Sequence, residues 1–373
     1  MQLIKKKESF RNTLFLLGII LELIVMITDH FASFTLPYRG RVTHVAFALF
    51  CIAILTTYYT KKQWFILVCF MALGVVSYFT CHDEYVIRFV VLAAASKDKD
   101  IESALKIIFW SSLVGALMII LFSVTGIVGT VVDVRHYGRG VVEARYTLGF
   151  NHANNVHDML WYLISLYILI KKEKIIWWQY AIMTVINIIL YQLTISRTGL
   201  IATQIIILGG LSYKYINLIK RYRLIYLGCA MGLVVSVFLT IYGSIYNIGE
   251  SRLIATLDPF LTGRLEMLTE YANFKQWVAF PTARSSAMVD NGFSSIIYVY
   301  GTIVGMIFIA LIIFMILKLA KKEAGYVAVV LLGAILVTFM EATFIINVSL
   351  LCNMILLVFM SEIYDIKLFA DNS

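Results

Sequence analysis

The sequence predicts an all-α integral membrane protein of about twelve transmembrane helices, each needing about 20 apolar residues. Three observations lead there. Of 373 residues, 61% are hydrophobic and only 14% are charged, at a mean hydropathy of +0.87. A soluble domain carries about 25% charged residues, so water alone cannot solvate this chain. Apolar runs of spanning length recur from one end of the sequence to the other. Lysines gather between alternate runs, which is how a chain sets its orientation during insertion. The formal charge of +9 therefore reports topology and not affinity for nucleic acid.

In order, the runs lie at 13–30, 43–60, 63–80, 85–96, 104–123, 155–170, 175–195, 198–213, 224–243, 292–317, 324–342 and 347–362, the fourth being short. Lys5, Lys6 and Lys7 precede the first run, and no small-residue cleavage site follows it, so it reads as a span. With the amino terminus inside, the inner connections hold Lys61-Lys62, Lys97/Lys99, Lys171-Lys172/Lys174, Lys214/Lys220/Arg221/Arg223 and Lys318/Lys321/Lys322. Each is basic, as a cytoplasmic connection should be, and an even number of spans returns the carboxyl terminus to the cytoplasm. Trp64, Trp177 and Trp178 follow lysine clusters directly, where an interfacial aromatic belt belongs. The cysteines, Cys51, Cys69, Cys81, Cys229 and Cys352, sit in or beside apolar runs without metal-ligand spacing and read as small buried hydrophobes. The expectation is one polytopic domain over 1–373 in a bacterial cytoplasmic (inner) membrane.

The cations are sorted by type. Of 18 Lys, only Lys275 falls in an outer segment, whereas ten of 13 Arg lie outside or at the outer edge: Arg39, Arg41, Arg88, Arg135, Arg139, Arg145, Arg197, Arg252, Arg264 and Arg284. Orientation rules disfavour any outer cation, so insertion does not explain the arginines. A guanidinium differs from an ammonium by its rigid fork of donors, suited to phosphate or carboxylate. A phosphate-bearing ligand at the outer face is the functional reading; balancing of outer acids such as Asp133, Glu143, Glu250, Asp258, Glu266 and Glu270 is the plainer one. Two outer segments, about 125–154 and 244–291, are longer than helix connections require. In the second, Leu261, Leu265, Leu268 and Val278 recur at near-helical spacing, which predicts a short helix on the membrane face with its apolar side down.

Four outer clusters carry chemistry. Arg145, Asn151, His152, Asn154, Asn155, His157 and Asp158 crowd the entrance to the sixth span. The asparagines supply helix caps and sugar-type hydrogen bonds. His152 and His157 are five apart and face different sides of a helix, which argues against a shared metal. Thr194-Ile195-Ser196-Arg197-Thr198-Gly199 joins spans seven and eight in one tight turn, placing Arg197 at headgroup level, as an anion ligand or a snorkelling side chain. Leu261-Thr262-Gly263-Arg264-Leu265-Glu266 opens the surface helix, where a helix start beside an arginine makes an anion site unless Glu266 pairs with it. Asp290-Asn291-Gly292 and Glu341 stand at bilayer boundaries, where partial burial raises the proton affinity of a carboxylate, which suits a general base. No phosphate-binding loop, zinc motif or serine nucleophile elbow occurs, and no outer Asp-x-Asp, so arginine without a divalent metal is the expected phosphate ligand and no cofactor is expected.

Taken in order, Gly149-Phe150-Asn151-His152-Ala153-Asn154, Ser196-Arg197-Thr198-Gly199, Thr262-Gly263-Arg264 and Asp290-Asn291-Gly292-Phe293 with Tyr300-Gly301 resemble the Wzy-type polysaccharide polymerases over nearly the whole chain. These share a superfamily with the O-antigen ligases. Gram-positive capsule polymerases often carry Gly-Phe-Gly-His-Pro-Asn; here Asn151 and Ala153 replace the second Gly and the Pro. Arg252 to Gly263 also fits an Arg-x10-Gly pattern described in polymerase outer loops. The resemblance implies a GT-C-like membrane glycosyltransferase that joins oligosaccharide units carried on undecaprenyl diphosphate, without a metal. It also implies work alongside a flippase and a chain-length regulator, with the bilayer as partner and no nucleic acid. By position, Arg197 and Arg264 correspond to diphosphate-contacting arginines of the ligases, while Asp290 stands where the ligases carry a histidine. The expected catalytic set is Arg197, Arg264, Asp290 and His152, with Arg145, Asn151, Asn154, His157, Arg252, Arg284, Asn291 and Glu341 as substrate contacts. Ligase-like transfer of finished polymer, or flipping of a lipid-linked sugar, are the alternatives.

Overall fold

A computed structural model describes residues 2–136, 142–261, 263–271, 278–280, 290–341, 357–358, 360–361 and 363–364. Their helices, in chain order, are α1 (Gln2–Asp29), α2 (Arg39–Leu55), α3 (Lys61–Cys81), α4 (Tyr85–Ala95), α5 (Ile101–Val124), α6 (Ala153–Lys171), α7 (Trp177–Thr194), α8 (Arg197–Tyr215), α9 (Asn217–Arg221), α10 (Leu224–Ile245), α11 (Arg252–Leu257), α12 (Arg264–Tyr271), α13 (Gly292–Val299), α14 (Thr302–Lys322) and α15 (Gly325–Met340). Between α5 and α6 stands one antiparallel hairpin, β1 (Val132–His136) and β2 (Val142–Tyr146), with Val132 opposite Tyr146. The long segment at 125–154, read from sequence only as an outer loop, is therefore partly a β-ribbon.

Helix starts follow local chemistry. Thr60 and Gln63 form a reciprocal capping box on α3, and Asp100, Ser196, Ser251 and Asn291 each accept a backbone N–H at the start of α5, α8, α11 and α13. Five helices are long and apolar enough to cross a membrane: α1 over Ser9–Asp29, α3, α5, α10 and α14. Their outward faces carry Phe65, Trp110, Leu121, Val234, Met306 and Leu317, all exposed. Such a surface is stable only against lipid. The protein is a helical bundle embedded in a membrane. At its centre, α6 packs on α5, α7 and α8, while α15 packs on α8 and α10, around Trp161, Tyr162, Ile206 and Leu233.

The two ends of the bundle differ in chemistry. At one end, lysines tie helix termini together: Lys99 Nζ donates to Thr57 Oγ1 (2.8 Å), Lys97 to the Tyr58 carbonyl, Lys214 to the carbonyl of Glu173 (2.7 Å), and Lys318 to that of Ile363 (2.8 Å). Cations suit these positions because several lie at helix carboxyl ends, whose last carbonyls need donors. Burial pushes the Lys99 ammonium down to about 8. At the opposite end the cations are arginines. Arg39 makes a two-pronged pair with Asp29 (2.6 and 2.7 Å), and Arg88 of α4 pairs with Glu22 of α1 in a buried contact between helices. The segment before α6 closes onto this end: Asn151 N donates to the His30 carbonyl (3.1 Å), its side-chain amide to that of Asp29 (3.0 Å), and Ala32 N to Gly149 (2.8 Å).

Two sequence expectations change here. The tenth apolar run, 292–317, is not one helix. It breaks at Gly301, whose φ of 98° suits glycine, and a Cβ there would lie 2.3 Å from the Ala279 carbonyl oxygen. The Val278 carbonyl accepts from Thr302 N (3.0 Å), so 278–280 packs into the break. Helix α13 then lies across the arginine end, from Asn291 on Thr240 of α10 to Val299, whose carbonyl accepts from Cys81 of α3. Only α14 is left to cross. The short helix expected near Leu261 is present as α12, but Leu265 and Leu268 bury against Gly243 of α10, so its apolar side meets the bundle and not lipid. The run at 347–362 lies largely outside the described residues.

Replacing Gly301 by Ala should cost about 1–3 kcal/mol, since it combines backbone strain with a carbonyl clash. The expected readout is a lower melting temperature of the detergent-solubilised protein; an unchanged melting temperature contradicts the break.

Candidate functional site

The turn between α7 and α8 is built from below. Ile195 adopts a left-handed φ of 54°, and Ser196 Oγ caps Gly199 N, so the chain reverses in two residues. Beneath it lies His157, fully buried on α6. Its Nε2–H donates to Asn187 Oδ1 (2.7 Å) and its Nδ1 meets Thr194 Oγ1 (3.2 Å). The Asn187 amide nitrogen in turn donates to the Leu200 carbonyl and to Gln204 Oε1, both at 3.1 Å. The imidazole also fills the space over Gly199, where a Cβ would come within 2.5 Å. His157, expected from sequence to touch substrate, instead clamps α6, α7 and α8 and fixes the start of α8. Arg197, the first residue of α8, is exposed above this clamp.

Onto that start comes Arg264, the first residue of α12. Its Nη1 donates to Thr198 Oγ1 (2.7 Å) and its Nη2 to Glu341 Oε1 (2.6 Å). The pair is buried, at 11% and 9% side-chain exposure, so neither charge is satisfied by bulk water. Asn154 of α6 donates its amide to the same Glu341 oxygen (3.1 Å). Asp158, one turn further along α6, is 6% exposed and interacts electrostatically with both Glu341 and Arg264. Asp290 adds its field to Glu341 from the start of α13. Residues separated by up to 187 positions thus meet at one point. Helices α6, α8 and α13 all present their amino ends here, and each such end carries about half a positive charge. No protein-family model, curated protein or solved structure matches the chain.

The arginines as a set do not converge. Arg145 is buried and paired with Glu143 (2.5 Å), Arg39 with Asp29, and Arg88 with Glu22, so charge balance accounts for these three. Arg252 is exposed at the start of α11, and Arg284 lies outside the described residues. Other expected contacts prove to be structural. Asn291 caps Ser294 N (2.8 Å) and bonds Thr240, His152 Nδ1 caps Asn154 N (3.1 Å), and Asn151 holds the α1–α2 loop. The start of α12 is not a vacant anion site, because Asp258 Oδ1 already accepts from Leu265 N (2.8 Å) and Glu266 N (3.0 Å). Arg264, Asn154, Asp290 and Glu341 are brought together, and Arg197 precedes Thr198 at the same helix start; Thr198 and Asp158 join them without having been singled out for a role.

An apolar cavity of about 550 Å³ lies among α3, α4, α13, α14 and α15. Its walls include Leu67 of α3, Phe89 of α4, Tyr300 at the break, Ile312 of α14 and Thr338 of α15. Thr338 is one helical turn from Glu341, and at its other extreme the cavity reaches Tyr59 and Gln63 beside the lysine end.

Glu341→Ala should destabilise the protein by about 3–5 kcal/mol, since it strands a buried guanidinium. Replacing Arg264 and Glu341 together by Leu should recover most of that loss in a melting experiment. A single Glu341→Ala change without effect would show that the pair is not buried as described.

Proposed function

We propose that this protein is a membrane glycosyltransferase that joins oligosaccharide units carried on undecaprenyl diphosphate into a polysaccharide, at the outer face of a bacterial cytoplasmic membrane. The observation that carries the proposal is the 2.7 Å hydrogen bond from Arg264 to Thr198. It sets the guanidinium of one arginine beside the residue that follows the other, at a point where three helix amino ends also gather.

In this reading the twelve crossings are α1 to α8, α10, α14, α15 and a last run at 347–362, in a GT-C-like arrangement with the lysine end in the cytoplasm. The diphosphate of the growing chain enters above the start of α8. Arg264, held by Glu341 until then, turns its fork to the phosphate oxygens, and exposed Arg197 closes from the other side. As the anomeric carbon leaves the diphosphate, negative charge builds on the leaving oxygen, and preorganised cations there lower the barrier. The polyprenyl tail occupies the apolar cavity, whose wall includes Thr338 one turn from Glu341. Asn154, on the same carboxylate, orients sugar hydroxyls. A flippase and a chain-length regulator of the same pathway would work alongside it.

Transport is the second reading, and the buried Glu22–Arg88 pair favours it, since transporters keep charges inside the bundle. In a strain lacking this protein, lipid-linked single units should accumulate outside the membrane; accumulation inside would favour transport.

Purified protein given a synthetic undecaprenyl-diphosphate repeat unit should produce a ladder on a gel, with or without chelator. Arg197→Ala and Arg264→Ala should each lower product by about 100-fold or more. Arg→Lys at either position should fail nearly as badly, because a single ammonium cannot grip two oxygens in a plane. Full-length polymer from either alanine variant refutes the assignment.

A further inference from the structure

The buried charged side chains at this cluster are otherwise partnered. Arg264 bridges Thr198 and Glu341, Glu341 accepts from Arg264 and Asn154, and Asp258 caps α12. Asp158 is the exception. It is 94% buried, since its exposure is 6%, and its Oδ2 is buried without a hydrogen-bond partner among the described residues. A buried carboxylate oxygen in that condition costs about 1–3 kcal/mol or more, so it persists only where something offsets the cost. The residue lies four positions after Asn154 on α6, which puts both on one face, toward Glu341 and Arg264.

We propose that Asp158 is the catalytic base, the group that takes the proton from the attacking sugar hydroxyl. The inference rests on the glycosyltransferase reading above and assigns a role that neither Asp290 nor His152 fits as well. Asp290 is exposed to solvent, away from the buried face that Asp158 shares with Asn154, and the His152 Nδ1 lone pair already caps α6. In the step, the acceptor hydroxyl oxygen forms a bond to the anomeric carbon of the growing chain. The bond from that carbon to the diphosphate oxygen breaks, and its electron pair leaves with the diphosphate. The hydroxyl proton passes to Asp158 Oδ2. Charge is then arranged on both sides of the reacting carbon: Arg197 and Arg264 toward the leaving diphosphate, Asp158 toward the acceptor.

The test uses the full chain in lipid nanodiscs with the synthetic undecaprenyl-diphosphate repeat unit, and measures both laddered product and binding of undecaprenyl diphosphate by native mass spectrometry. Asp158→Asn, nearly identical in shape, should lower turnover by about 100-fold or more. Its affinity for undecaprenyl diphosphate should stay within about threefold of the parent, because the arginines that hold the diphosphate are untouched. Turnover within about tenfold of the parent overturns the assignment. If D158N is not recovered folded, Asp158→Glu takes its place: reduced turnover with diphosphate affinity kept supports the base, and unchanged turnover overturns it. Absence of a ladder from the parent protein refutes the glycosyltransferase reading itself, and this inference with it; a ladder from the parent and from D158N alike refutes only Asp158.

Discussion

One buried ion pair organises the arginine end of this bundle. Arg264 begins a short helix that lies outside the main spans, and Glu341 follows the last residue of α15. Taking two such charges out of water costs several kcal/mol each, and their attraction offsets that only when the remaining donors and acceptors are also engaged. Here Thr198 accepts from the other terminal guanidinium nitrogen and Asn154 donates to the same carboxylate oxygen. The pair therefore does more than join α12 to α15. It registers four helices against each other at one point, and any ligand that competes for Arg264 acts on all four at once.

Around that point the structure separates rigid parts from available ones. His157, Asn187, Gln204 and Gly199 form a hydrogen-bonded and tightly packed floor beneath the start of α8. Asp258 fixes the start of α12 by filling its own helix end. Arg197 is exposed at the start of α8, and Asp158, next to His157 on α6, keeps an oxygen without a hydrogen-bond partner among the described residues. Settled polar groups beside unsettled ones are what a site needs if its geometry must survive the arrival of a charged substrate. The apolar cavity has Thr338, one turn from Glu341, in its wall.

Much of the bundle was legible in the sequence because run length and lysine spacing are local signals. Helices appear at the first eleven predicted runs, although α1 begins at Gln2, well before residue 13, and α13 and α14 divide residues 292–317. That stretch is apolar throughout, and hydropathy has no means of showing a bend; only Gly301 after Tyr300 marked it. The site was legible in part. Arg197, Arg264, Asn154, Asp290 and Glu341 stood out by residue type at a bilayer boundary. Their partners did not, because a guanidinium does not announce which carboxylate, 77 residues away, will hold it. The same blindness made the arginines look like one set, when Arg39, Arg88 and Arg145 each have an acid of their own. His157 misled for a related reason: a histidine near a membrane edge reads as a ligand until its two nitrogens are found engaged beneath a turn. Asp158 sat in plain view in the same crowded segment, and only its unpartnered oxygen distinguishes it.

The central claim is that Arg197 and Arg264 grip a single diphosphate together, and a double-mutant cycle on ligand affinity tests it most directly. Binding of undecaprenyl diphosphate would be measured for the parent protein, for Arg197→Ala, for Arg264→Ala and for the double change. Shared contact predicts non-additive losses, with a coupling of about 1 kcal/mol or more between the two positions. Strictly additive losses, or no loss from either change, would place the two side chains at separate tasks and contradict the account.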